Sequence, residues 1–165
     1  MKRNTTLLIS AVASALILSA CNNSTTPSTL PTLGPTCTLP AGTQVALVYP
    51  APNASGVVNS NGEIVIGSTT ALPVNQSGQN WSIWYSDAVL NSQGIQFAPI
   101  NSNTSLASTS PPFPNPNTTP TFANPQYQQQ TSGVQFAAGQ TVTIYVNNSA
   151  SGDNCTPLQI GSFST

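Results

Sequence analysis

The chain has 165 residues and a formal net charge of −1, from two basic residues, three acidic residues and no histidine. Both cations, Lys2 and Arg3, stand at the extreme N-terminus, so everything after them is built from uncharged side chains and Glu63, Asp87 and Asp153. Nucleic-acid binding, which neutralises phosphate with Lys and Arg, is excluded for that part, as are Ser–His–Asp and Cys–His nucleophile systems and His/Cys zinc sites.

The first segment, Met1-Lys2-Arg3-Asn4-Thr5-Thr6, is basic and is followed by an apolar run from Leu7 to Leu18 interrupted only by Ser10 and Ser14. This is the pattern of an export signal, with a hydrophobic stretch too short to span a bilayer comfortably. It ends Leu18-Ser19-Ala20-Cys21, which resembles the lipobox of bacterial lipoproteins. The resemblance implies cleavage after Ala20, a signal peptide over residues 1–20, and a diacylglycerol on the Cys21 sulfur. It also implies a further acyl chain such as palmitate on the new amino group. Two or three acyl chains make a stable membrane anchor where one is marginal, each buried methylene adding about 0.8 kcal/mol. Asn22 is not the aspartate that resembles an inner-membrane retention signal, and this points to the outer membrane or cell surface. An ordinary secretory signal that happens to precede a cysteine is the alternative.

Asn22 to Thr36 is dominated by Ser, Thr and Pro without alternation and reads as a tether, so residues 21–36 form a lipidated stalk reaching about 50 Å if fully extended. The folded domain is expected over residues 37–165. Its two cysteines, Cys37 and Cys155, lie in an exported chain where disulfides persist. A bridge is expected, two free thiols being the alternative.

Seven segments are then expected as strands, from β-branched and aromatic content bounded by Gly, Pro and Asn turns. They are Thr43–Tyr49, Glu63–Gly67, Trp81–Asp87, Ile95–Ala98, Gln126–Phe136 (one or two strands, broken near Ser132-Gly133), Thr141–Val146 and Pro157–Phe163. No sustained helical period follows residue 21. An all-β sandwich is the expected class. Pro52-Asn53-Ala54-Ser55-Gly56-Val57, followed by Ile64-Val65-Ile66, resembles the opening of bacterial Ig-like domains, and Gly139 to Val146 resembles their penultimate strand. The resemblance implies an Ig-like antiparallel sandwich. Asn101 to Pro125, rich in Pro, Ser, Thr and Asn, departs from it and is longer than the usual connection. Within it, Pro111 to Pro116 is expected to be a spacer or an edge cover rather than a polyproline recognition surface.

Trp81, Trp84 and Tyr85 are the candidate ligand contacts. Alternation puts Trp81, Ile83 and Tyr85 on one face and Ser82, Trp84 and Ser86 on the other. Either set can be the core, which leaves an outer aromatic to stack on a sugar, to pack against a partner, or to lie beneath the Pro-rich loop. Glu63, Asp87 and Asp153 are scattered, so neither a calcium site nor a glycosidase pair is expected. No metal and no other cofactor is expected. The sequence therefore points to a non-enzymatic, lipid-anchored envelope protein. Its Ig-like domain would be structural or adhesive, with the membrane as one partner and an envelope protein or glycan as another. The alternative is a self-assembling surface subunit that pairs through uncharged sheet edges.

Overall fold

The computed structural model describes residues 34–58, 62–89, 98–100, 105–106, 113–133, 135–150 and 155–165. The signal segment, Cys21, most of the tether, Ile95–Phe97, Pro111-Pro112 and Asp153 lie outside them.

Eight strands are present among these residues: β1 (Val45–Tyr49), β2 (Glu63–Ser68), β3 (Trp81–Ser86), β4 (Ala98–Pro99), β5 (Ser105–Leu106), β6 (Gln126–Thr131), β7 (Thr141–Asn148) and β8 (Leu158–Ser164). They form two four-stranded sheets, ordered β1-β2-β6-β5 and β4-β3-β7-β8, and the strand pairs within both are antiparallel. The order is that of an immunoglobulin-like sandwich, in which strands one, two, five and four of the constant-type frame make one sheet and the remainder the other. A tryptophan buried on the third strand, here Trp81 at 2 % exposure, is a further feature of such sandwiches.

The core follows from alternation. Leu47, Ile64 and Ile66 face inward from the first sheet, and Trp81, Ile83, Val142, Ile144, Val146 and Phe163 face them from the second. Burying each such side chain contributes about 1.5–3 kcal/mol. Phe136 lies in the connection between β6 and β7 rather than in a strand, and its ring meets Tyr85 and Phe163 edge-on, at 5.1 and 5.8 Å between centroids. Of the one or two strands expected over Gln126–Phe136, the first ends at Thr131, at the expected break near Ser132-Gly133, and Phe136 is in no strand. The chain leaves the sheet there so that an aromatic ring can plug the gap between layers.

The two layers are also joined by polar groups. Gln128 and Gln130 occupy inward positions of β6, opposite Ile66 and Ile64, and are almost fully buried. A buried amide is costly unless paired. Gln128 accepts from the Leu72 N–H at 2.7 Å and donates to the Leu72 carbonyl at 3.0 Å. Gln130 reaches the opposite sheet, where its side-chain oxygen accepts from the Ile83 N–H.

Three exposed strand edges are occupied by the chain itself. The Ala51 N–H donates to the Pro116 carbonyl and the Thr118 N–H to the Val48 carbonyl, which covers β1. After β1 the chain crosses to the other sheet, where Asn53 to Val57 runs parallel to β8. There the Asn53 N–H donates to the Ser162 carbonyl, the Ser164 N–H to the Ala54 carbonyl and the Val57 N–H to the Ser164 carbonyl. The Trp81 N–H donates to the Pro73 carbonyl, closing the start of β3. Such coverage removes the unpaired groups that invite edge-to-edge association.

Cys37 and Cys155 are bridged, with Cα atoms 4.8 Å apart and a sequence separation of 118. The bridge is not the inter-sheet bond of antibody domains. It joins the segment ahead of β1 to the segment ahead of β8. Thr36 pairs with Thr156 in parallel, the Cys37 N–H donates to the Thr156 carbonyl, and the Thr156 N–H donates to the Pro35 carbonyl. The chain thus enters the domain pinned beside its last strand.

Candidate functional site

The outer faces of the two sheets are treated differently. On the β1-β2-β6-β5 sheet, a bulge between Leu47 and Tyr49 changes the register with β2, and Val48, Tyr49 and Val65 form a second apolar cluster outside the main core. Phe113 and Tyr127 pack on it, their rings edge-on at 5.0 Å. Phe113 begins a strap that runs to Pro125. The Asn117 amide staples its turn by donating to the Phe113 carbonyl at 2.7 Å and the Pro114 carbonyl at 3.1 Å. The strap needs Gly67 beneath it: a Cβ at that position would stand 2.7 Å from Pro120 Cγ and 3.3 Å from Val48 Cγ2. The part of the Pro-rich segment that is described is therefore a cover for this sheet's face and for the edge of β1.

On the β4-β3-β7-β8 sheet the outward positions carry a different chemistry. The structure decides between the two arrangements of the β3 aromatics: Trp81 and Ile83 are core residues, Tyr85 packs against the core, and Trp84 faces outward, half-buried. Tyr145 stands directly opposite Trp84 on β7, and Gln159, which is exposed, stands opposite Tyr145 on β8. Pro99 holds the register position on the other side of Trp84. Side chains paired this way lie about 4.5–5.5 Å apart at Cβ. Trp84 and Tyr145 are thus adjacent aromatic residues in one row across the sheet.

Hydroxyls and amides flank that row. Ser82 pairs with Asn147 on one side, while Ser86, Thr143 and Ser162 form a second row on the other. The Trp84 indole N–H donates to the Ser82 hydroxyl at 2.6 Å, which fixes the ring's orientation against β3. Burial raises the Tyr145 phenol above its usual pKa, partly offset by its hydrogen bond with Thr143, so it stays neutral at physiological pH.

Among the described residues no carboxylate belongs to this face. Glu63 opens β2 in the opposite sheet. Asp87 is buried just after β3, and its carboxylate accepts from the Val89 N–H at 3.0 Å, the geometry of a turn-forming aspartate. Among the described residues no group of three or more His, Cys, Asp or Glu is placed to hold a metal ion.

Of the three aromatic residues singled out from sequence, only Trp84 reaches this face. Tyr145 was not singled out. Its signal lay in the alternation of Thr141 to Val146, which points Tyr145 away from Val142, Ile144 and Val146. Its pairing with Trp84 depends on strand register, which alternation does not specify.

The chain matches no family model, and comparison with curated proteins and with solved structures finds no similar protein.

Proposed function

We propose that this chain is a lipid-anchored protein of the bacterial envelope, held at Cys21, whose sandwich is a non-enzymatic adhesive or structural module. Several features support the reading. The N-terminal segment Leu18-Ser19-Ala20-Cys21 has the lipobox pattern, and the Ser/Thr/Pro-rich stretch after it leads into a domain whose entry is pinned by Cys37–Cys155. The side-chain inventory offers no histidine and no cation beyond Arg3, so general acid–base chemistry would rest on three dispersed carboxylates.

The observation that carries the binding role is the unequal treatment of the two sheet faces. One is sealed by the 113–125 strap, whereas on the other Trp84 and Tyr145 stay partly exposed beside the partly exposed Thr143 and Ser162 and the exposed Gln159, with Ser82, Ser86 and Asn147 buried. The alternative of assembly through sheet edges draws no support from β1 and β8, whose edges the chain itself occupies.

Cell fractionation of the wild type and Cys21→Ala tests the anchor. The wild type is expected in the membrane fraction, at the outer membrane or cell surface, and the variant in the soluble or secreted fraction. Identical partitioning of the two would refute it.

A further inference from the structure

From the outer face of the β4-β3-β7-β8 sheet we infer a binding site for a neutral polysaccharide, with Trp84 and Tyr145 as its stacking platform. The inference deepens the adhesive reading and rests on it.

The chemistry of the face selects this ligand class. An aromatic ring carries a negative face, and the axial C–H bonds of a pyranose present a weakly positive, flat surface that complements it. Trp84 and Tyr145 stand side by side on adjacent hydrogen-bonded strands, about 4.8 Å apart in the direction of pairing. They therefore hold neighbouring positions in one cross-strand row. The Ser82 hydroxyl holds the Trp84 indole by its N–H, which limits the rotamer entropy lost on binding.

Around the rings stand groups that exchange hydrogen bonds with sugar hydroxyls. Gln159 is exposed beside Tyr145, and Thr143 and Ser162 lie half-exposed in the next row. None of these carries charge, and no Lys, Arg or His exists in the chain after Arg3. An anionic glycan, a phosphate group or an acidic peptide would find no countercharge here, while an uncharged sugar chain forgoes nothing by its absence. A protein partner would favour a larger apolar centre than two half-buried rings set among hydroxyls.

The test uses the full-length chain, solubilised in detergent and titrated against a panel of neutral polysaccharides (β-glucan, α-mannan, galactan and xylan), with alginate as an anionic comparison. Binding to at least one neutral member is expected, with none to alginate. Trp84→Ala and Tyr145→Ala should each weaken that binding at least tenfold, Gln159→Ala about threefold, and Val58→Ser, at an exposed position outside this row, should leave it unchanged. In a Trp81→Phe background Trp84 is the sole tryptophan, and its emission should shift on adding the bound polysaccharide. If Trp84→Ala fails to fold, Tyr145→Ala and Gln159→Ala decide the matter. No binding to any neutral polysaccharide, or binding unaffected by all three substitutions, overturns the inference. Capture of an envelope protein in place of glycan would overturn it while leaving the adhesive reading intact, and failure of the membrane anchor would show separately in the fractionation of Cys21→Ala.

Discussion

Replacing Gln128 by Leu tests whether the polar clamps between the layers hold the sandwich together. The side chain pairs with both the N–H and the carbonyl of Leu72, at 2.7 and 3.0 Å, inside a nearly dry environment. Leucine keeps the approximate volume but removes both partners, leaving a buried donor and a buried acceptor that each cost about 1–3 kcal/mol when unmade. The added apolar burial offsets roughly 1–2 kcal/mol. The net loss comes to about 2–3 kcal/mol. A domain of this size melts roughly 3–5 °C lower per kcal/mol, so Tm should fall by about 10 °C in a calorimetric or circular-dichroism melt. Gln126→Leu, two residues earlier on the same strand and exposed, is the control and should move Tm by less than about 2 °C. Equal melting temperatures for the two variants would refute the argument that the alternate glutamines of β6 are structural.

Reduction of Cys37–Cys155, or the double variant Cys37→Ala/Cys155→Ala, frees a loop of 118 residues. The chain-entropy relation puts its constraint at about 4.9 kcal/mol as an upper figure, so urea unfolding should shift to clearly lower concentration, and coincident curves with and without reductant would contradict this. Gly67→Ala places a methyl group against Pro120 and Val48. It should cost about 1–3 kcal/mol and speed proteolysis within residues 113–125, whereas a neutral or stabilising outcome would mean that the strap is not seated as described. Stability should be nearly flat between about pH 5.5 and 9, because the chain has no histidine. It should fall above about pH 10. There Tyr49, Tyr85 and Tyr145, all raised chiefly by burial, keep their protons in the fold while the unfolded chain loses them, so rising pH favours unfolding. A Tm that drops between pH 6 and 8 would contradict this.

Much of the sandwich was legible because its strands obey simple patterns. Thr141–Val146 alternates cleanly and is the heart of β7, and Glu63–Gly67 and Trp81–Asp87 are strands nearly as expected. The Cys37–Cys155 bridge was expected from there being just two cysteines after Cys21, in a chain read as exported. Gln126–Thr131 shows where pattern reading stops. A run of polar residues gives no hint that alternate glutamines are buried, because their burial depends on backbone partners contributed by Leu72 and Ile83, distant in sequence. Likewise β5, only two residues long, lay inside a segment read as one long loop. Its residues pair with Gln128 and Gln129, a long-range contact with no local signal. The candidate site was half legible. Trp84 was identified together with its alternatives, and the structure chose among them through the burial of Trp81 and Ile83. Tyr145 entered only through register.

The intact mass of protein extracted from membranes, with and without reduction, tests the central claim most directly. The account predicts a chain that begins at Cys21 and carries a diacylglyceryl group and a further acyl chain, with a mass that rises by two hydrogens on reduction. A chain without lipid would contradict the anchored envelope protein described above, and a mass unchanged by reductant would contradict the bridge that pins the domain's entry.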